Sequence, residues 1–457
     1  MYRRLADDLA NLPALLDDTH RTAVGFLAGL ADRPVLSAAR IPDPTPLPAE
    51  GAGLAGALAD FTAHWEPTLS GSAGPRYLGF VTGGVTPAGV AGDWITAAVD
   101  QNSNSALDGS GQDLERHTLG WLRELFGLSD AHQGAFVSGA TMSNTVGLAV
   151  AREWLGERAG ISVAEDGLAA LGLVRVLSGR PHSSIAKGMA MLGMGRKSLT
   201  TVATLPGREA VDVAALETAL AAAGGPCIVV ANAGTVNTVD FDDLRAIAAL
   251  KDRYDFWLHV DAAFGAFAAL TAEHAHLVAG LDAADSVCVD LHKWLNVPYD
   301  SAVQFTRRRD LQTDVFRNAA AYLGPLGDEP DFVHLTPENS RRLRALAAWF
   351  TLRAYGRAGH ADIVERDIAA ARALGEAVAA EPALRLLAPV RLNVVCFTLA
   401  DEPTAERLAA LVERASDEAL FTPTVLDGVP ALRAAFSNWR TGQEDVARII
   451  AALRKAL

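Results

Sequence analysis

Five short runs, Ala135–Val137, Leu173–Leu177, Cys227–Ala231, Phe256–Val260 and Val287–Val289, read as buried strands, and helical patterns such as Val213–Ala223 and Asp243–Asp252 lie between several of them. Strands that are apolar throughout are covered on both faces, and their alternation with helices predicts an α/β fold with a mainly parallel sheet and helices on both sides. Such a sheet presents its ligand site at the carboxyl ends of the strands. The residues that follow each run therefore carry the functional reading.

The run Val287–Val289 delivers His292 and Lys293, in SVCVDLHKWLNVPYD. A lysine desolvated at a strand end sheds its proton readily and attacks carbonyl carbon. The run Phe256–Val260 ends in Asp261, followed by the small Ala263. A carboxylate at the end of a buried strand needs a cationic partner. A lysine that forms a Schiff base and an aspartate facing a pyridinium nitrogen are the two groups that pyridoxal 5′-phosphate (PLP) requires. Internal ion pairs or a helix cap would explain either residue alone. His259 beside Asp261 makes a weak metal site, because no third ligand accompanies them, and no metal is expected.

Three more strand ends agree. After Ala135–Val137 comes Ser138-Gly139-Ala140-Thr141-Met142-Ser143, a small-residue turn opening a helix, where free N–H groups and the helix dipole attract an anion. After Leu173–Leu177 comes His182, whose flat ring can lie on a planar cofactor. After Cys227–Ala231 comes Ala233-Gly-Thr-Val-Asn-Thr238, where Thr235 and Asn237 offer hydrogen bonds to the same crevice. Each has an ordinary alternative, a cap or a turn; five together do not.

The 457 residues suffice for two or three units around a large core, and the first 70, helical with a Pro-rich break at Pro42–Pro48, have no core of their own and are expected to pack on a partner subunit. Residues 71–339 form the large cofactor-binding domain, and residues 340–457 a linker helix, Ser340–Arg357, with a smaller α/β domain. That domain holds a strand at Asn393–Leu399 and helices at Thr404–Ala415 and Glu444–Leu457. A net charge of −14 without a basic patch argues against nucleic acid as partner. Cys227, Cys288 and Cys396 all lie in apolar runs and read as buried free thiols, which fits a reducing compartment. No apolar run is long enough for a membrane span and the N-terminus does not resemble a signal peptide, so a cytoplasmic protein is expected.

The order and spacing of HVDAA and HKWL resemble the group II PLP-dependent amino acid decarboxylases, the fold-type-I family of aromatic-L-amino-acid, histidine and glutamate decarboxylases. The resemblance runs from Pro75 to Gly356 and continues through SNWRT, Ser437–Thr441. It implies a homodimer that decarboxylates an L-amino acid to the amine. It implies Lys293 as Schiff-base lysine, Asp261 at the pyridine nitrogen, His182 and Ala263 on the two ring faces, and Gly139, Ala140 and Thr141 at the phosphate. It further implies Thr235 and His292 beside the cofactor, Phe80, Thr82, Gln101 and Ser103 at the substrate, and Tyr322 as the proton donor after CO2 leaves. The sequence departs from the family in the short segment after Tyr322, in Gly79, where a bulky ring is expected, and in the polar stretch Gln101–Asn104, expected to enter the partner's site. Gly79 is expected to leave the substrate wall unfilled, which together with that polar stretch suggests a small or polar substrate side chain. Asp290, an acid near the expected phosphate, is expected to point away or pair with a base. Arg440 is a candidate to grip an α-carboxylate, which would suit an aminotransferase; a carbon–carbon lyase or an oxidative deaminase are further PLP alternatives, and a non-catalytic binding protein on the same fold is the alternative from another class.

Overall fold

The structure is a computed structural model that describes residues 1–105, 109–318, 326–327 and 329–457. Its main sheet has seven strands: β1 (Gln133–Val137), β2 (Val176–Ser178), β3 (Leu199–Thr201), β4 (Cys227–Asn232), β5 (Phe256–Asp261), β6 (Ser286–Asp290) and β7 (Ala302–Thr306). They lie in the order β1-β7-β6-β5-β4-β2-β3. Strands β2 to β6 are parallel, and β7 runs antiparallel between β6 and β1. Strands β4, β5 and β6 are buried at every residue, as their uninterrupted apolar patterning requires. Their carboxyl ends share one edge with those of β1 and β2, so the five motifs converge.

A second, antiparallel sheet has four strands, β8 (Leu384–Leu386), β9 (Val394–Leu399), β10 (Thr422–Leu426) and β11 (Val429–Ala435), in the order β10-β11-β9-β8. Helices Ala405–Ala415 and Gln443–Ala456 pack on it around Phe397, Phe421 and Phe436. The sequence-based strand limits move by a few residues; β2 begins at Val176, not Leu173, which is 70% exposed. All three cysteines are free and buried, and no helix among the described residues is long and apolar enough to cross a membrane.

The linker helix differs from expectation. It spans Ala345–Ala379 and breaks at Gly356, whose φ of 58° is left-handed. Residues 340–344 do not join it: the backbone of Arg342 bridges Asn102, the Arg341 N–H donates to Asn102 Oδ1 at 3.1 Å, and the Arg341 side chain pairs in the interior with Glu115 at 2.7 Å.

Ahead of β1 lie helices α4 (Pro87–Val99) and α5 (Gly111–Leu125), and the N-terminal 70 residues carry helices α1 (Arg3–Ala10), α2 (Leu12–Ala28) and α3 (Gly53–Asp60). Of these residues only Leu30 and Val35 are buried.

Candidate active site

A cavity of about 430 Å³ opens at the shared strand edge, lined by Ser138–Met142, His182, Thr235, Asp261, Ala263, Asp290, His292, Lys293, Phe80 and Arg433 among others. Eight of the cofactor-side residues named from the sequence, Gly139, Ala140, Thr141, His182, Thr235, Asp261, Ala263 and His292, thus surround the ninth, Lys293.

Lys293 sits in the short helix Leu291–Trp294 that closes β6. Two side chains, making three hydrogen bonds, fix that helix. Trp294 Nε1 donates to Asp367 Oδ2 at 2.7 Å. Asn296 Nδ2 donates to the carbonyls of Gly83 (2.6 Å) and Ser437 (2.7 Å). Gly83 is held so close that a Cβ there would stand 1.8 Å from the Lys293 carbonyl oxygen. Lys293 Nζ lies 3.7 Å from Asp290 Oδ2 and 5.3 Å from the centre of the Phe264 ring. A carboxylate and an aromatic face thus flank the amine, so the purely apolar setting expected from the strand is not what surrounds it.

Asp261 is buried, and its hydrogen bonds come from neutral amides: Asn144 Nδ2 at 2.8 Å and the Ala263 N–H at 3.2 Å. No lysine or arginine pairs with it among the described residues. A buried carboxylate with neutral partners leaves room for one external cation. Asn144, on the helix α6 (Ala140–Ala159), also receives a hydrogen bond at Oδ1 from His259 Nε2, 2.8 Å away. Because Nε2 donates, His259 Nδ1 accepts from Ser286 Oγ at 2.7 Å. Complete burial pushes the His259 pKa down to about 4, against the pull of Asp261, so the ring is neutral.

The same asparagine orders His182. Asn144 Nδ2 reaches Ser184 Oγ at 3.0 Å, and Ser184 Oγ lies 2.8 Å from His182 Nδ1. The Ser184 N–H also points at Nδ1, at 3.3 Å. Nδ1 is therefore an acceptor and Nε2 carries the proton. Burial lowers the His182 pKa, with Asp261 opposing, which favours this neutral ring.

The first turn of α6 supplies the anion cradle, with N–H groups that have no partner within the helix. Asp290 pairs with bases, one of the two arrangements expected of it, and does so facing the cradle. Its Oδ1 is 2.8 Å from His292 Nδ1, and its Oδ2 accepts from the Ala140 N–H at 3.2 Å. Thr235 Oγ1 donates to the buried Glu209 at 2.6 Å and accepts from the Asp240 N–H at 2.9 Å. Asn237 does not face the crevice; it accepts from Thr424 Oγ1 of β10 at 2.8 Å.

On the substrate side, Phe80 lines the cavity, while Thr82 is buried behind it, 3.4 Å from the hydroxyl of Tyr299. The wall at Gly79 is not open: a Cβ there would meet Leu420 Cδ2 at 2.9 Å and the Tyr77 ring at 3.0 Å. Gln101 is exposed and donates to its own Val99 carbonyl at 3.1 Å. Ser103 is buried, 3.5 Å from the Arg342 carbonyl, and Asn104 is held by Arg341 at 2.5 Å. Ser103 and Asn104 are thus engaged within their own chain, whereas Gln101 faces outward. Tyr322 lies outside the described residues.

Arg440 is absent from the cavity lining and stacks on Trp439, 4.6 Å from the ring centre. Arg433, on β11, lines the cavity instead. Its Nη2 donates to the Phe80 carbonyl at 2.6 Å, its Nε has no hydrogen-bond partner among the described residues, and burial lowers its pKa to about 10.

The profile of the pyridoxal-dependent decarboxylase conserved domain matches residues 41–400. The chain belongs to the pyridoxal-dependent decarboxylases. It is 31% identical over 432 residues to an L-2,4-diaminobutyrate decarboxylase of Rhizobium meliloti (strain 1021), covering 90% of this chain and 84% of the relative. It is 27% identical over 393 residues to an aromatic-L-amino-acid decarboxylase of Bacillus atrophaeus, covering 82% and 80%. The Oryza sativa TDC structure with PLP and tryptamine shares the fold, with a TM-score of 0.90 at 23% identity over 98% of this chain and 97% of that one. This decarboxylase is a carboxy-lyase that uses PLP to remove CO2 from an amino acid.

Proposed function

We propose that decarboxylation takes place in the cavity of Lys293 and Asp261, on an L-amino acid, in a cytoplasmic homodimer. The observation that carries the site is Asp261, a buried carboxylate with neutral hydrogen-bond partners, in the same cavity as Lys293 and the α6 N-terminus. That set fits PLP at three points: an amine for its aldehyde, an anion for its ring nitrogen and N–H donors for its phosphate.

PLP, when bound, draws electrons from the substrate's α-carbon. Lys293 Nζ is the amine that would hold the aldehyde. Asp261 would keep a proton on the ring nitrogen, and Asn144 holds the Asp261 carboxylate in place. His182, with its donor at Nε2–H, and Ala263 would take the ring between them, and the α6 turn with Thr141 and His292 would receive the phosphate. Arg433, the arginine of the lining, pairs with the substrate carboxylate through its uncommitted N–H groups. The resemblance assigns Tyr322 the return of the proton to the α-carbon.

The dimer reading rests on exposed apolar surface. Leu5, Leu9 and Leu16 of α1 and α2 are 54–60% exposed, and Trp94, Ile95 and Val99 of the helix Pro87–Val99 are 42–45% exposed. His20 of α2 meets Trp94 edge-on at 5.6 Å, which joins the two groups into one surface. A patch of this kind marks an interface.

The test is borohydride reduction of the purified protein followed by peptide mapping, with a screen of L-amino acids for CO2 and amine. A reduced adduct on Lys293 and amine from at least one amino acid are expected. An adduct on another lysine would remove Lys293 from its role.

A further inference from the structure

A second cleft, of about 490 Å³, lies between the bodies of the two sheets. The main-sheet body contributes Arg208, Asp240 and Glu273; the other wall contributes Arg372, from the helix Ala345–Ala379, and Arg391, just before β9. Neither the cofactor chemistry nor the substrate side uses any of these groups.

The charges in the cleft do not balance. Asp240 is fully buried and already serves Arg208 Nη2 at 2.6 Å, the Glu209 N–H at 3.1 Å and the Phe241 N–H at 3.0 Å. Glu273 serves Arg372 at 2.6 Å. Arg391 is left with a share of Asp240, at 3.4 Å from Nε, and makes no hydrogen bond among the described residues; its Nη1 is buried without a partner. Three guanidinium groups thus face two carboxylates, both of them engaged. An under-used guanidinium in a partly buried cleft calls for a ligand, and its planar fork matches the oxygens of a phosphate or carboxylate.

We infer that this cleft is a binding site for a small polyvalent oxyanion, a phosphate or a polycarboxylate, held by Arg391, Arg372 and Arg208. Such a ligand would bridge the two bodies. It would also touch the frame of the cofactor cavity, since the Asp240 carbonyl accepts from the Gly234 N–H at 3.2 Å and the Thr235 N–H at 2.9 Å.

The test uses protein saturated with PLP, so that the phosphate cradle is filled. Inorganic phosphate and, separately, citrate are titrated at constant ionic strength by calorimetry and thermal melting. One saturable site per chain is expected for at least one of them, with a rise in melting temperature. Preference for phosphate would point to a phosphate ester and preference for citrate to a polycarboxylate. Arg391→Met and Arg372→Met should each weaken binding by roughly tenfold or more. Glu273→Gln should tighten it, because it releases Arg372. Arg372 and Glu273 are 44% and 66% exposed, so these two variants remain informative should Arg391→Met fold poorly. Absence of saturable binding by both anions, or binding that Arg372→Met leaves unchanged and Glu273→Gln does not strengthen, overturns the site.

Discussion

The side-chain amide of Asn144 stands 2.8 Å from Asp261 Oδ2, and its carbonyl end accepts from His259 at the same distance. One residue on α6 thus orients the carboxylate of β5 and, through Ser184, the ring of His182. Asn144→Leu keeps the volume and removes all three contacts. We expect kcat to fall roughly tenfold to a hundredfold, as for loss of a partner that orients a reacting group. The PLP content, read from the near-visible absorption, should fall as well. A variant with full PLP content and wild-type kcat would show that Asp261 holds its position unaided.

Arg433 and Arg440 can be told apart by the same substitution. Arg433→Met should lower kcat/KM by roughly thirtyfold, equivalent to about 2 kcal/mol for a charged hydrogen bond. Arg440→Met should stay within about twofold of wild type, since Arg440 stacks on Trp439 away from the cavity. A larger loss for Arg440 than for Arg433 would reverse the assignment.

The contrast between these arginines shows what the sequence makes legible. Lys293, Asp261, His182, Thr235 and the α6 turn each follow their own strand, so local apolar patterning is enough to place them on one edge. Arg433 lies on a strand of the second sheet, and its own neighbours look like any other strand; only the packing of β11 on Phe80 brings it to the cavity. Asn144 is hidden in the same way, as a polar residue on a helix that is buried along most of its length. The space beside Gly79 is filled by the Tyr77 ring and by Leu420, and the second comes from a distant segment that local sequence does not reveal. The start of the linker helix moved for that reason too, since Arg341 is bound to Glu115.

Stability should depend on pH through His259. Its ordinary value is 6.5 and burial lowers it to about 4 in the folded protein. The unfolded chain therefore binds the extra proton between these limits, and stability rises with pH across them. The contribution is fully present above pH 6.5 and is lost as the pH falls towards 4. Its full size is about 3 kcal/mol, because each tenfold loss of proton affinity on folding is worth about 1.4 kcal/mol. Denaturant melts of wild type and His259→Gln from neutral to acid pH provide the measurement. The variant should be less stable at neutral pH and should lose stability less steeply on acidification. Parallel curves would mean that other groups carry the acid sensitivity.

Gly83 and Gly79 offer a paired test of how the Lys293 segment is held. A Cβ at Gly83 would overlap the Lys293 carbonyl oxygen at 1.8 Å and the Asn296 amide at 2.6 Å, and the first of these is backbone. Relief requires the helix Leu291–Trp294 to shift, and with it the amine. A Cβ at Gly79 meets only side chains, the tip of Leu420 at 2.9 Å and the Tyr77 ring at 3.0 Å, and small side-chain shifts can relieve both. Gly83→Ala should cost about 3 kcal/mol or more and most of the borohydride-trappable PLP, whereas Gly79→Ala should cost about 1 kcal/mol and keep it. Melting curves and adduct yields for the two variants decide the point. Equal losses at both positions would show that the segment yields more readily than its contacts with Gly83, Asn296 and Ser437 imply.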